Sequence, residues 1–220
     1  MTSARDYKSE SRREFDKVAP DYDKNSAFYY RITRWCDDAV IDRIGKIDKP
    51  FERILDVGCG TGVLLHKLSL CYPKVRFDGL DLSDQMIAQA TAKSLSNVEW
   101  KQGDAENPPY PDNTFDVLMC TSSFHHYPNP QQAIQSFYRI LKPEGLLILC
   151  DMALPLPIRF LANHLWFKCI RSGDVHTYSK NEIESLLADQ QFANAEYKKI
   201  SPVEFMITAI ASKDANAQTD

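Results

Sequence analysis

The sequence predicts an α/β protein: a doubly wound, mostly parallel sheet of seven strands, ended by a C-terminal antiparallel hairpin and preceded by an N-terminal helical cap. Three observations predict it. Between residues 53 and 150, short apolar runs alternate with segments of helical period, the rhythm of βα units with helices on both faces of a sheet. Several of these runs end in an acid or a glycine, at the strand ends where such sheets bind ligands. The last two runs, 195–200 and 203–211, have no helix between them, so they pair antiparallel.

The bulk numbers agree with one soluble globular domain: 220 residues, 44% hydrophobic and 25% charged. It divides into a cap (1–50), a core (51–150), an insertion (151–178), and a last helix with the edge hairpin (179–212). A net charge of −4 argues against nucleic-acid phosphates as the main partner and favours a small molecule. Met1-Thr2-Ser3-Ala4-Arg5-Asp6 has no apolar signal core, and no run is long and apolar enough to span a bilayer, which points to the cytoplasm. Six cysteines without a Cys-x-x-Cys pair read as reduced thiols. The expected state is a monomer or homodimer.

The elements follow in order. A helix from about Ser9 to Val18 is broken at Ala19-Pro20, since proline lacks the N–H and constrains its predecessor. From Ser26, Tyr29, Ile32, Cys36, Ala39, Val40 and Ile47 fall near helical spacing, closed by Gly45 and Pro50. The first strand, Ile54 to Val57, runs into Gly58-Cys59-Gly60-Thr61-Gly62, and Val63 to about Cys71 is the next helix. Val75 to Asp81 is the second strand, and Ser83 caps a helix carrying Met86, Ile87 and Ala90. Val98 to Gln102 and Phe115 to Cys120 are the third and fourth strands. Asn129-Pro130 opens a helix with Ala133, Ile134, Phe137, Ile140 and Leu141 facing inward. Gly145 to Cys150 is the fifth strand. Ser179-Lys180-Asn181-Glu182 is a capping box before Ile183, Leu186 and Leu187.

Chemistry concentrates at four strand ends: Asp56 with the glycines, Asp81, Gly103-Asp104, and Thr121-Ser122. Glycines at such a turn admit positive φ and close backbone approach to a ligand. Asp81 lies about 20 residues beyond the turn, the distance at which an acid accepts hydrogen bonds from both ribose hydroxyls. Asp104 suits an exocyclic adenine amine, with the Ala105 amide facing a ring nitrogen. His125 and His126 stand where a substrate approaches, as candidate base or substrate contacts. His176 and Tyr178 are weaker candidates, His66 and His164 read as structural, and no His/Cys/carboxylate set has metal spacing. The apolar segment Met152 to Ile170 carries two prolines and Arg159, which exclude a membrane span. Core packing at the sheet edge, a roof over the substrate, a dimer contact and a peripheral membrane contact all remain open.

In combination these residues resemble the class I S-adenosylmethionine-dependent methyltransferases from about Phe15 to Phe192. Leu55-Asp56-Val57-Gly58-Cys59-Gly60-Thr61-Gly62 is similar to that family's cofactor turn, and Gly79-Leu80-Asp81-Leu82-Ser83 with Met86 to its ribose and adenine segment. Gly103-Asp104-Ala105-Glu106, Phe115-Asp116-Val117 and Leu141-Lys142-Pro143-Glu144-Gly145-Leu146-Leu147 resemble its later motifs. Phe15, Ala19, Tyr22, Asp23 and Asn25 resemble the quinone-biosynthesis and small-molecule (type 11) branch, where the Tyr22 position helps close the methionine end of the cofactor site. The resemblance implies a Rossmann-like fold and S-adenosyl-L-methionine as cofactor. It implies a cofactor site of Tyr22, Asp56, Gly58, Cys59, Gly60, Asp81, Leu82, Met86, Asp104, Ala105 and Thr121. The acceptor is expected to be small and partly apolar, methylated by in-line displacement under a lid of the N-terminal helices and Met152 to Ile170. Ser123-Phe124-His125-His126-Tyr127 departs from the quinone enzymes' own signature. Asn107-Pro108-Pro109-Tyr110 spells the tetrapeptide of amino-methylating enzymes but stands before the fourth strand instead of after it. A nicotinamide-dependent oxidoreductase and a non-catalytic S-adenosylmethionine-binding protein are the alternatives.

Overall fold

The computed structural model describes residues 6–24, 26–170 and 172–213, without the side chains of 26–34. Asn25 and the side chains of Tyr29 and Ile32 lie outside the described residues. Helix α1 spans Tyr7–Val18, two residues earlier than expected, because Asp6 caps it by accepting from the Ser9 N–H at 3.1 Å. A 3-10 turn, Ala19–Asp21, follows at the proline. Next come α2 (Ser26–Ile44), β1 (Arg53–Val57), α3 (Val63–Cys71), β2 (Arg76–Asp81), α4 (Asp84–Thr91), β3 (Val98–Gln102) and β4 (Phe115–Thr121). After a 3-10 turn at Phe124–His126 come α5 (Pro130–Ile140) and β5 (Leu141–Met152). The short helices α6 (Leu156–Leu161) and α7 (Phe167–Cys169) flank a π-turn, and α8 (Lys180–Ala188), β6 (Phe192–Ser201) and β7 (Glu204–Ala211) end the fold.

The seven strands stand in the order β3-β2-β1-β4-β5-β7-β6. β1 to β5 are parallel, and β7 runs antiparallel to both β5 and β6. This is the Rossmann-like doubly wound sheet with a C-terminal hairpin. Its order reverses at β1, flanked by β2 and β4, so the crevice for a ligand opens where those strands end.

Alternation along the strands explains the register. In β5, Leu146, Ile148 and Cys150 join the layer under α2 and α3, while Leu147 and Leu149 join the layer that includes α5 and α8. In β4, Val117 and Met119 face the first layer and Leu118 and Cys120 the second. Each fully buried large side chain, Phe137 or Ile148 for example, stabilises by about 1.5–3 kcal/mol. Because a one-residue slip exchanges the two faces of a strand, that burial also pins the strand ends. β5 starts earlier than Gly145 because Leu141 already pairs with Phe115, across a register shift that includes Glu144 at φ 60°.

The Met152–Ile170 segment does not join the core as a whole. Ala162 and Phe167 are buried, but Leu156 is 68% exposed, Phe160 61%, Leu165 58% and Trp166 55%. Two prolines and the π-turn break it into pieces too short to lay one apolar face on the sheet. Asn163 ties it down, accepting from the Thr177 N–H at 2.9 Å and donating to the Thr177 carbonyl at 3.0 Å. Among the described residues no helix is long and apolar enough to cross a membrane.

Candidate functional site

A cavity opens at the carboxyl ends of β1, β2 and β4. Its floor is the turn after β1. The Gly58 and Cys59 amides both donate to the Leu80 carbonyl, at 2.8 and 3.1 Å, which joins the turn to β2. Gly58 has φ +75°, and a Cβ there would lie 2.0 Å from Ser123 Oγ, so the β4 end excludes any side chain. Gly60, at φ +53°, has no atom within 4 Å of where its Cβ would be. The reason for glycine there is therefore its backbone angle and the open cavity, the arrangement that lets a ligand approach main-chain atoms.

Three carboxylates share this wall. Asp81 Oδ2 accepts from the Gly60 N–H at 2.8 Å and Oδ1 from the Ser83 N–H at 2.9 Å. Burial pushes Asp81 up to about 6 against the pull of those two bonds. Asp56 is buried and its Oδ1 has no hydrogen-bond partner. Burial, together with the Asp37 and Asp81 charges, holds it well above the usual carboxylate range. Asp37, at the same cavity, pairs with Lys67 at 3.0 Å. An orphaned buried carboxylate oxygen beside two further acids is a site made for a cationic group.

Leu82, Met86, Asp104 and Ala105 form the next stretch of wall, with Cys59, and Thr121 marks the end of β4. Helix α1 closes this side through Lys8, Ser11, Arg12 and Phe15. It is tied to the strand ends by polar contacts: Lys8 to Asp104 at 2.7 Å and to Glu106, Arg12 to Asp84 at 2.7 Å, and Ser83 donating to Asp16 at 2.6 Å. Tyr22 and Asp23 also reach the cavity. Asp23 accepts from Thr61 Oγ1 at 2.6 Å and from Lys93 at 2.9 Å, which latches the segment after α1 to the glycine turn.

The structure separates the two histidines. His126 lines the cavity with Ser123 and Tyr127. Its ring meets Phe15 edge-on at 5.1 Å, and burial with the neighbouring His125 lowers it to about 4. His125 is not on the cavity wall but behind it, because Asp151 holds it. Asp151 accepts from His125 Nδ1 at 2.6 Å and from the His125 N–H at 3.0 Å. Burial opposes the charge on His125, yet the Asp151 charge and hydrogen bond, with Asp174, keep it above its usual range, and Asp151 below its own. The loop before α8 completes this side, with the Val175 N–H donating to the His125 carbonyl at 2.9 Å.

All eleven expected cofactor residues lie on this one cavity, as does His126. No residue of Met152–Ile170 lines it in this structure; α1 provides the wall instead. His176 pairs with Glu182 at 3.2 Å, in the capping box of α8, and Tyr178 packs on Phe124. The Asn107–Tyr110 turn is held by Arg139, which donates to the Pro108 and Tyr110 carbonyls, and none of the four lines the cavity. Asp151 and Asp174 were missed in the sequence. Asp151 had a readable signal, an acid ending the fifth apolar run as Asp56 and Asp81 end theirs. Asp174 had none. It reaches the histidines through a loop packed so tightly on α1 that a Cβ at Gly173 would lie 2.5 Å from Ser11 Cα.

Comparison with known proteins finds methyltransferase relatives. The methyltransferase-domain family matches residues 54–145. Demethylmenaquinone methyltransferase of Listeria monocytogenes serotype 4a is 30% identical over 151 residues, 64% of this chain and 61% of that protein. The chain thus spans about three-fifths of that relative's length. The Thermotoga maritima protein of the same name is 28% identical over 197 residues, 83% of this chain and 84% of that one. Among solved structures, a chain of the complex between the Haloferax volcanii Trm112 methyltransferase activator and a putative methyltransferase superposes with a TM-score of 0.76. It has 20% identity and covers 94% of this chain and 99% of that one.

Proposed function

We propose that the chain is a class I S-adenosylmethionine-dependent methyltransferase, the class to which its relatives and its motifs point, and that it transfers a methyl group to a small, partly apolar acceptor. The observation that carries the reading is the convergence of Asp56, Asp81 and Asp104 from three successive strand ends on one cavity. In this reading Gly58 and Gly60 receive the methionine end of the cofactor. The orphaned oxygen of Asp56, with Asp37 beside it, supplies negative charge for the ammonium. Asp81 takes the ribose hydroxyls, and Leu82, Asp104 and Ala105 take the adenine. The bound cofactor supplies an electrophilic methyl on a sulfonium.

What the chain's own residues do is orient and exclude water. Methyl transfer is an in-line displacement in which proximity supplies much of the rate, so no covalent nucleophile is required. Phe15, Tyr22 and Tyr127 give the cavity an apolar side, which fits a partly apolar acceptor. His126, neutral near pH 7 and on the cavity wall, is the side chain that meets the acceptor. His125 acts through it as a positioning residue, held by Asp151. Helix α1, clamped by Lys8 and Arg12, and the Tyr22-Asp23 latch form the lid. The relatives named demethylmenaquinone methyltransferase support an apolar ring compound as acceptor. The Ser123–Tyr127 segment keeps that class broader than quinones.

Calorimetric titration with S-adenosylmethionine, S-adenosylhomocysteine and NADH tests this reading. Saturable binding of the first two alone is expected, followed by transfer of a labelled methyl to an apolar member of an acceptor panel. Binding of NADH instead would overturn the cofactor. Binding of S-adenosylmethionine with no transfer to any acceptor would favour the non-catalytic alternative.

A further inference from the structure

The three side chains His125, His126 and Asp174 converge behind the cavity wall with their ligand atoms within 4.8 Å of one another. His125 Nε2 and His126 Nδ1 each lie 3.4 Å from the same oxygen, Asp174 Oδ1. That is long for a charge-assisted hydrogen bond, about 2.7–2.9 Å, and the buried His126 Nδ1 has no hydrogen-bond partner. Because Asp151 accepts from His125 Nδ1 at 2.6 Å, that nitrogen carries the proton. The His125 Nε2 faces a carboxylate oxygen, and a metal ion binding there takes the place of the proton that Asp151 and Asp174 favour on that nitrogen. Electron pairs facing one another at this range need a positive charge between them, a proton or a metal ion.

We propose that His125, His126 and Asp174 bind one divalent transition-metal ion of the zinc class. Metal–ligand bonds of about 2.0–2.1 Å at tetrahedral angles place the ligand atoms about 3.3–3.4 Å apart, which matches the separation of each histidine nitrogen from Asp174. Two imidazoles and one carboxylate are the donor set that suits zinc, cobalt or iron rather than magnesium or calcium. The surroundings are those of a metal site. Asp151 orients His125 as an outer carboxylate orients a ligating histidine, and Ser172 donates to the other oxygen of Asp174. Gly173, packed on Ser11, fixes the loop that carries Asp174. Three protein ligands leave a fourth position, and an ion held there lowers the pKa of a coordinated hydroxyl or water. Since His126 lines the cavity, this favours an oxygen acceptor. The ion site itself does not depend on the methyltransferase reading.

The test uses the untagged full chain, stripped with a chelator and titrated with Co2+ alone, without cofactor or acceptor. The expected result is one ion per chain with tetrahedral visible absorption, displaced by Zn2+. No thiolate charge-transfer band should appear, which separates this site from the free cysteines. Asp174→Ala and His126→Ala should each abolish the absorption, and Asp151→Asn should weaken binding roughly 10- to 100-fold. Absence of saturable Co2+ binding in the unmodified chain overturns the proposal, as does binding unchanged in both ligand variants. Imidazole NMR needs no variant. Zn2+ should shift the signals of both histidines, and an imidazolium at His125 that Zn2+ leaves unmoved means that a proton holds the place of the metal. S-adenosylhomocysteine binding is measured separately, so failure of the ion site and failure of the cofactor reading remain distinct.

Discussion

The two halves of the cavity wall differ in how far their groups lie from the strand ends. On the β1–β2 side, Asp81 holds backbone amides of the glycine turn and of its own following turn, and every group lies within a few residues of a strand end. On the β4–β5 side, His125 is held by Asp151 across 26 residues, a separation close to the 21 between Gly60 and Asp81, but Asp174 arrives from the loop before α8, beyond any strand end. In the proposed reading the first half recognises the constant part of the reaction, and it is written as a short motif. In the same reading the second faces the acceptor, and it exists only once β5 and the loop before α8 are in place.

That contrast can be broken by variants that touch one half and leave the other intact. The largest effect is expected at His126: with an acceptor in hand, His126→Ala should lower turnover roughly a hundred- to ten-thousandfold while S-adenosylhomocysteine affinity stays within about twofold. An equal loss in both would mean that the halves are not separable. Next comes Asp151→Ala, which strands a charged, buried His125 and should destabilise the fold by about 3–5 kcal/mol in urea denaturation. A far smaller loss would show that the pair is not ionised.

On the cofactor side, Asp81→Ala removes charge-assisted hydrogen bonds worth about 1.5–3 kcal/mol, a tenfold to hundredfold loss of cofactor affinity by calorimetry. Stability to urea should change little by comparison with Asp151→Ala. Asp81 also sets a pH dependence. As pH falls through about 6 it takes up a proton and loses acceptor capacity, so cofactor affinity should weaken below that pH. The effect on stability has the opposite sign. The folded pKa lies above the ordinary 3.8, so the folded state binds the proton more readily, and falling pH between those values favours folding through this group. Loss of this affinity change in Asp81→Asn would confirm its source. The smallest effect is expected outside both halves: Phe160→Ser, at a 61% exposed position, should move stability by no more than about 0.5 kcal/mol.

Much of the first half was legible because its signals are local. Alternating apolar runs, acids at strand ends and glycines at a turn are properties of neighbouring residues, and local backbone geometry converts them directly into β1, its turn and α3. The strand ends moved by a few residues where pairing overrode pattern, as at Leu141. Less of the second half was legible. His125 and His126 read as equals, since sequence neighbours in a 3-10 turn carry no sign of which ring points to the cavity and which to Asp151. The Met152–Ile170 segment read as apolar, and its composition could not say whether it roofs the cavity; the structure leaves most of its large side chains in solvent.

The sequence by itself therefore determined the fold class, the hairpin that ends the sheet and the acids at the strand ends, because each follows from the period and the ends of single segments, whereas the order of the strands belongs to the tertiary structure. Only the tertiary structure decided that α1 lines the cavity while Met152–Ile170 does not, that Asp151 withdraws His125 from it, and that Asp174 meets both histidines. Those contacts join residues distant in the chain. They are set by the packing of α1 and the α8 loop across the strand ends, which no local pattern encodes.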